Sequence, residues 1–264
     1  MHINKLTVLG LSLLTLLTAC HRKVEREPLS PLSEGVDSIS VDTTAQLGKG
    51  TANCKVHLNF LYLKGANKGV VNDSLLRLGA LPPADYLVSY DRLTPALTVP
   101  SAMRQYVKDY KQTAGLIYQQ EKRDDQLHWS YRMQTKIYHG RGETLIYLAT
   151  VSTFEGGDKS APFTRAWNID PKTGRTLHLK DYFNEDALKQ LPSEIAKQLA
   201  TEKDVKDLKA LQKEGYFEGI EPYATDNFFV TDKQITFVYV PGEIAPAQAG
   251  EVWVTLNNSQ LKMK

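Results

Sequence analysis

The sequence is poor in the features that announce a chemistry. It has no Gly-x-Ser-x-Gly elbow, no His-Glu-x-x-His helix and no phosphate-binding glycine loop, so the motifs of serine hydrolases, zinc peptidases and nucleotide enzymes are missing. An excess of one charge is missing too. There are 32 basic side chains against 30 acidic ones, and residues 1–19, holding Lys5 and no acid, change that balance by a single charge. This excludes the basic footprint of a nucleic-acid partner. Internal repeats and low-complexity tracts are lacking inside the domain, and cysteine occurs twice, as Cys20 and Cys54. What remains is an ordinary globular composition, 42% apolar and 23% charged. Its length suits one large domain or two small ones with a real core.

The one long apolar run is at the start. Met1 to Lys5 is a short basic opening, and Leu6 to Leu17 is apolar apart from Thr7, Gly10, Ser12 and Thr15. That is too short for a permanent bilayer-spanning helix. It ends in Leu17-Thr18-Ala19-Cys20, which resembles a bacterial lipobox: a leucine, two small residues suited to a peptidase cleft, then the cysteine. The resemblance implies a lipoprotein signal peptide over 1–19 and lipidation of Cys20, with a diacylglycerol on its sulfur and a further acyl chain on its amine. Several chains hold where one would not, because each buried methylene contributes ~0.8 kcal/mol and a single chain binds marginally. His21 in place of an aspartate favours onward transfer to an outer membrane, on its periplasmic or its surface face. With Cys20 acylated no intrachain disulfide can form. Cys54 opens a strand with no His or helix start nearby in sequence, so it is expected to be buried and inert.

Residues 20–50 read as a flexible tether, Ser, Thr, Pro, Asp, Glu and Gly with single apolar residues and no sustained period. Extended, it would reach on the order of 100 Å. An alternative makes Val36, Ile39 and Val41 part of an edge strand. Cys54 to Leu63 alternates as a strand, with His57 on its surface. Val70 to Leu78 reads as a short helix stopped by Gly79. After Pro100, Ser101 can cap a helix whose Met103, Tyr106, Val107, Tyr110 and Ala114 form a stripe against a sheet. Strands from Gln126 to His139 and from Glu143 to Phe154 flank Gly140-Arg141-Gly142, and the second is apolar on both faces, hence central. His139 and Glu143 sit four apart across that turn, where the helical metal-binding argument fails. A strand from Pro162 to Asp170, a Pro171-Lys172-Thr173-Gly174 turn and a return from Arg175 to Leu179 follow. Asn184 to Ala200 reads as a helix containing Pro192, with a more charged helical segment to about Lys213. Strands at Phe228 to Val230, Ile235 to Val240 and Glu251 to Leu256 close the chain. The class is α+β, a mostly antiparallel sheet with packed helices.

Two stretches carry a family resemblance. One is Trp167-Asn168-Ile169-Asp170-Pro171-Lys172-Thr173-Gly174-Arg175, followed by Leu177, Leu179, Lys180, Asp181, Tyr182 and Phe183. It continues through Asn227-Phe228, Ile235-Thr236-Phe237-Val238-Tyr239, Glu243-Ile244-Ala245-Pro246-Ala247, Gly250 and the strand from Val252 to Leu256. These residues resemble the domain of unknown function 3298, known from the exterior part of the lysozyme-sensing RsiV anti-sigma factor and from proteins joined to a peptidoglycan deacetylase. The other stretch, Val56 through Asn72 to the glycine hairpin, resembles the domain of unknown function 4163 that commonly precedes it. Together they divide the chain into a deacetylase-associated-type region over 51–160 and an RsiV-type region over 161–264, joined as one continuous unit. The chain departs from the family where members often carry Gly-Gly-Ala-His-Gly and it has Gly156-Gly157-Asp158-Lys159-Ser160. The histidine's role cannot be carried over, and the loop is either a strand-end bend or a ligand-approach site.

The residues that match are scaffold residues, turns and strand aromatics, which specify a fold more than a reaction. Catalysis is therefore not expected, nor is a cofactor or a metal, and His128 and His178 read as packing histidines beside apolar neighbours. The expected role is a membrane-anchored, non-catalytic binding or sensing module of the cell envelope. Its partners would be the lipid membrane through Cys20, and a lysozyme-like protein or a peptidoglycan fragment. The contact residues expected on loops are Glu155, Gly156, Gly157, Asp158, Lys159 and Ser160 in one, and Pro241, Gly242, Glu243 and Pro246 in the other. The competing reading is a structural or signalling accessory of the envelope without a small ligand; a cell-wall deacetylase is a third.

Overall fold

A computed structural model describes residues 24–48, 51–121, 127–157 and 161–264. Cys20, Asp158, Lys159 and Ser160 lie outside these. Alternation decides the larger sheet. Strand β2 (Asn53–Leu63) buries Cys54, Val56, Leu58 and Phe60 and leaves Lys55 and His57 exposed between them, the period-two pattern of a sheet with one wet face. Its partners are β1 (Val36–Gln46), β3 (Trp129–His139), β4 (Leu145–Glu155), β5 (Phe163–Ile169) and β6 (Thr176–Leu177), in the order β1-β2-β3-β4-β5-β6. Every pairing is antiparallel except that of β2 with β3, where the crossover carries helices α1 (Gly69–Arg77) and α2 (Pro95–Glu121). These helices pack on one face of the sheet over a core that includes Phe60, Leu76, Met103, Tyr110 and Tyr147. Beyond Asn59, β2 parts from β3. The gap is filled by the N-terminal segment, whose Leu32 amide donates to the Ile137 carbonyl while the His139 amide donates to that of Ser30, both at 3.0 Å.

Strands β7 (Phe228–Val230), β8 (Gln234–Tyr239) and β9 (Val252–Asn257) form a second, antiparallel sheet. Helices α3 (Leu179–Tyr182), α4 (Glu185–Glu202) and α5 (Leu208–Lys213) share a core with it. Asn184 caps α4 and Asp207 caps α5, their side chains accepting the Ala187 and Ala210 amides at 2.9 and 3.0 Å. All six residues of β8 are buried. Ile235, Phe237 and Tyr239 join the helix-bearing core, while Val238 packs on Ile146 and Leu148 from the other side of the larger sheet. This agrees with the expected class: two mostly antiparallel sheets with packed helices. It also explains why β4, with Leu145 to Ala149 all buried, is covered on both faces.

Three local expectations change. Residues 20–50 are not a tether where they are described, because Val36–Gln46 pairs along its whole length with β2, as the edge-strand alternative required. Ser101 does not cap a helix: α2 starts at Pro95, and Pro100 sits within its opening turns, where the missing amide removes a single bond from the ladder. The boundary at 160/161 falls inside the larger sheet, whose β4 and β5 pair from Leu145 with Ile169 to Val151 with Phe163.

Candidate functional site

β5 is nearly an edge. Its neighbour β6 reaches only Asn168 and Ile169, so the outer side of Phe163 to Trp167 has no strand. Side chains from the second sheet take the place of one. The Asn227 carboxamide accepts the Ala166 amide at 2.7 Å and donates to the Thr164 carbonyl at 2.9 Å, and the Glu251 carboxylate accepts the Thr164 amide. Asn168 reciprocates, accepting the Val230 amide at 2.9 Å and donating to the Phe228 carbonyl at 3.0 Å. A bare edge is a template for pairing with another chain, and these two buried asparagines block it while fastening the sheets together.

The substitution of side chains for a strand leaves a cleft of about 520 Å³. It lies between β5, the Leu78–Pro83 loop behind α1 and the segment from Thr225 to Phe228. Phe163, Arg165 and Trp167 enter it from β5, Glu155 from the end of β4, Tyr106 from α2 and Asp226 from the second sheet's approach. The Arg165 guanidinium lies 6.0 Å from the Phe163 ring centre. Tyr131 is held by a 2.5 Å bond from its hydroxyl to the Ala80 carbonyl, which fixes the loop behind α1 as a wall. Burial, then the Glu155 carboxylate, hold the Tyr106 phenol far above its ordinary value, so it stays protonated and able to donate. Burial, then Glu155, push the Cys54 thiol up to about 11, and the thiol is wholly buried, so it is no nucleophile at neutral pH. Aromatic faces beside one arginine and two carboxylates make a surface that can stack on a flat apolar face and pair with either charge.

Of the expected contact residues, Glu155 lines this cleft. Gly156 and Gly157 follow it with φ of +85° and +77°, the left-handed backbone of a strand-end bend. The loop after Pro241 behaves otherwise. Glu243 is engaged by the Val240 amide at 2.8 Å and the Tyr223 hydroxyl at 2.7 Å, Ile244 and Ala245 are buried in the second core, and the Phe217 amide donates to the Ile244 carbonyl at 2.7 Å. Ile244 and Ala245 thus anchor the loop while Gly242 and Pro246 stay exposed, and none of Pro241, Gly242, Glu243 and Pro246 lines the cleft. His178 is no packing residue either. It is exposed at the head of α3, with its amide 2.8 Å from the Asp181 carboxylate, and it stands at the cleft rim. His57 is exposed beside Asp42 at 3.1 Å, and Glu143 pairs with Lys172 at 2.5 Å. Arg165, Trp167 and Asp226 were not expected. Arg165 could have been found as the one charge on the apolar-facing side of β5, between Phe163 and Trp167. Among the described residues no group of three or more His, Cys, Asp or Glu is placed to hold a metal, and no helix is long and apolar enough to cross a membrane.

The second sheet and its helices coincide with a known sequence pattern. Residues 180–259 match the DUF3298 family. The family is described as protein of unknown function, and the matched DUF3298 segment runs from α3 through β9. Two solved structures share the fold. One is a member of the DUF3298 family from Bacteroides fragilis, at 24% identity and a TM-score of 0.74 over 88% of this chain and 93% of that one. The other is a DUF3298 family protein from Pseudomonas aeruginosa, at 16% identity and a TM-score of 0.61 over 90% and 95%. No curated protein matches the chain. Both solved relatives align far beyond the DUF3298 segment, so the larger sheet is part of the shared architecture. Most of the cleft comes from residues before the matched segment, which itself adds Thr225 to Phe228.

Proposed function

We propose that the protein is a lipid-anchored module of the bacterial cell envelope, in the outer membrane, that binds rather than catalyses. In this reading the cleft at β5 receives a segment of a lysozyme-like protein or a peptidoglycan fragment. The observation that carries it is the cleft itself, with Phe163 and Trp167 as stacking faces and Arg165, Glu155 and Asp226 as charged groups beside them. Peptidoglycan offers sugar faces, peptide amides and carboxylates together, and a protein loop offers the same groups. The lipobox supports the anchor, and the likeness of the C-terminal half to exterior sensing domains supports a recognition role. The neutral phenol of Tyr106 and the buried thiol of Cys54 act as packing and hydrogen-bonding groups in this reading, not as reactants.

The test is retention. The full chain, purified in mild detergent, is expected to hold lysozyme or a soluble muropeptide, and Trp167→Ala and Arg165→Ala are each expected to lower that affinity about tenfold or more, as aromatic and arginine anchors do. Binding that neither variant alters would remove the cleft from the reading. Metal-dependent deacetylation of a cell-wall glycan by the same preparation would replace binding with catalysis. In cells, Cys20→Ala is expected to release the protein from the membrane fraction.

A further inference from the structure

The face of the larger sheet turned away from α1 and α2 is covered where the second sheet and Leu29 of the N-terminal segment pack on Ile146, Leu148 and Ala166. Beside that contact lies a cleft of about 770 Å³, lined on β3 by Arg132, Gln134 and Lys136, on β4 by Thr150 and Ser152, and on β9 by Trp253. The strand period puts the three β3 side chains on one face, roughly 7 Å from each to the next. Neither Arg132 nor Lys136 has an ion-pair or hydrogen-bond partner among the described residues, and both are exposed. The other charges at this cleft are already balanced. Arg26 is stacked 4.5 Å above the Trp253 ring and faces Glu202 and Glu251, while Glu27 pairs with Lys233 at 2.6 Å. Of the charged side chains that line the cleft, Arg132 and Lys136 are the ones left unpaired, which favours an anionic ligand on the β3 side, away from Glu251 where it bonds Thr164 and the Trp253 indole.

Between the two cations runs a row of neutral polar groups. Ser40, Asn59, Gln134 and Thr150 are successive register partners across β1 to β4, and Thr164 of β5 continues the register but is buried. The row is joined at its ends, Asn59 donating to the Ser40 hydroxyl at 2.9 Å and the Thr150 and Thr164 hydroxyls meeting at 3.1 Å. The four accessible positions span about 14 Å. A flat row of amides and hydroxyls, with an arginine on one side, a lysine on the other and a tryptophan at one end, is matched by a chain of hydroxyls bearing spaced carboxylates. A peptide adding as a further strand would need a sheet edge, and this face presents side chains alone. Two free cations in a nearly neutral protein are too few for the phosphate-dense backbone of a nucleic acid.

We propose that this cleft binds a carboxylate-bearing polysaccharide, laid across the strands along the Gln134 row with its acidic sugars on Arg132 and Lys136. The site uses neither Arg165 nor Trp167 and stands apart from the cleft at β5. The experiment is calorimetric titration of the full chain in mild detergent with oligogalacturonate, neutral dextran and polyphosphate. Binding of oligogalacturonate with no response to dextran is expected, and Arg132→Ala combined with Lys136→Ala is expected to weaken it at least tenfold at unchanged melting temperature, since both side chains are exposed. Gln134→Leu is expected to weaken it several-fold with the cations intact. The Arg165→Ala, Trp167→Ala pair is expected to leave it unchanged. Absence of binding, undiminished binding by the double cation variant, or loss in the Arg165 and Trp167 pair would overturn the assignment. Equal or tighter binding of polyphosphate would also overturn it, by showing that charge alone is read.

Discussion

In the larger sheet β2 and β3 bury every second residue, whereas in the smaller sheet β8 buries six in succession. The difference follows from what each strand has on its two sides. β8 lies between the core of α3, α4 and α5 and the exposed-side residues Ile146 and Leu148 of β4, so neither face is left over. β2 and β3 have helices on one side and solvent on the other. Both clefts described above draw on the larger sheet, one on its open face and one along β5.

Truncating β8 should therefore have the largest effect. Phe237→Ala is expected to destabilise by about 3–5 kcal/mol, a large buried aromatic leaving a cavity. Urea unfolding should still show one transition, because Val238 and Phe229 pack on the other sheet; two transitions would show that the sheets fold independently. Asn227→Ala comes next, at about 3 kcal/mol, since it strands the Ala166 amide and the Thr164 and Val238 carbonyls in the interior, and calorimetric melting would read it. The smallest effect is expected at Asp181. Burial pushes its carboxyl up, but the His178 amide and the Arg175 guanidinium outweigh this and hold it below the ordinary carboxylate value. A depressed folded value contributes stability above the unfolded value and loses it as pH falls through the folded one. Asp181→Asn should thus cost less than about 1 kcal/mol at neutral pH, with the gap to wild type closing on acidification.

Much of the fold was legible because its strands alternate or are continuously apolar, as in β2 and β4, and because Asn184 and Gly79 punctuate helices in the expected way. β1 was harder. Its Ser38, Ser40, Asp42 and Thr44 are exposed, and an edge strand with so little apolar content looks like a linker until β2 is laid beside it. The start of α2 was hidden by Pro100, which reads as a helix boundary although both α2 and α4 carry a proline inside, at Pro100 and Pro192. The site was less legible than the fold. Glu155 was reached from its glycine-rich context, but the cleft depends on Asn227, some sixty residues beyond β5, taking the place of a neighbouring strand. No local pattern encodes that meeting. In the loop from Pro241 to Gly250, proline and glycine suggest exposure, which Gly242 and Pro246 show, while Ile244 and Ala245 between them insert into the core, which no turn residue signals.

The segment from Glu25 to Leu32 has a mechanical consequence. Its backbone bonds the side chain of Gln234 on the smaller sheet, through the Glu27 amide at 2.9 Å and the Glu25 carbonyl at 2.8 Å, and then bonds β3 on the larger one. Tension applied ahead of residue 24 is shared by both layers before it reaches either interior. Such a pull would meet Arg26, stacked on the Trp253 indole at the rim of the groove between the layers, before it met either core.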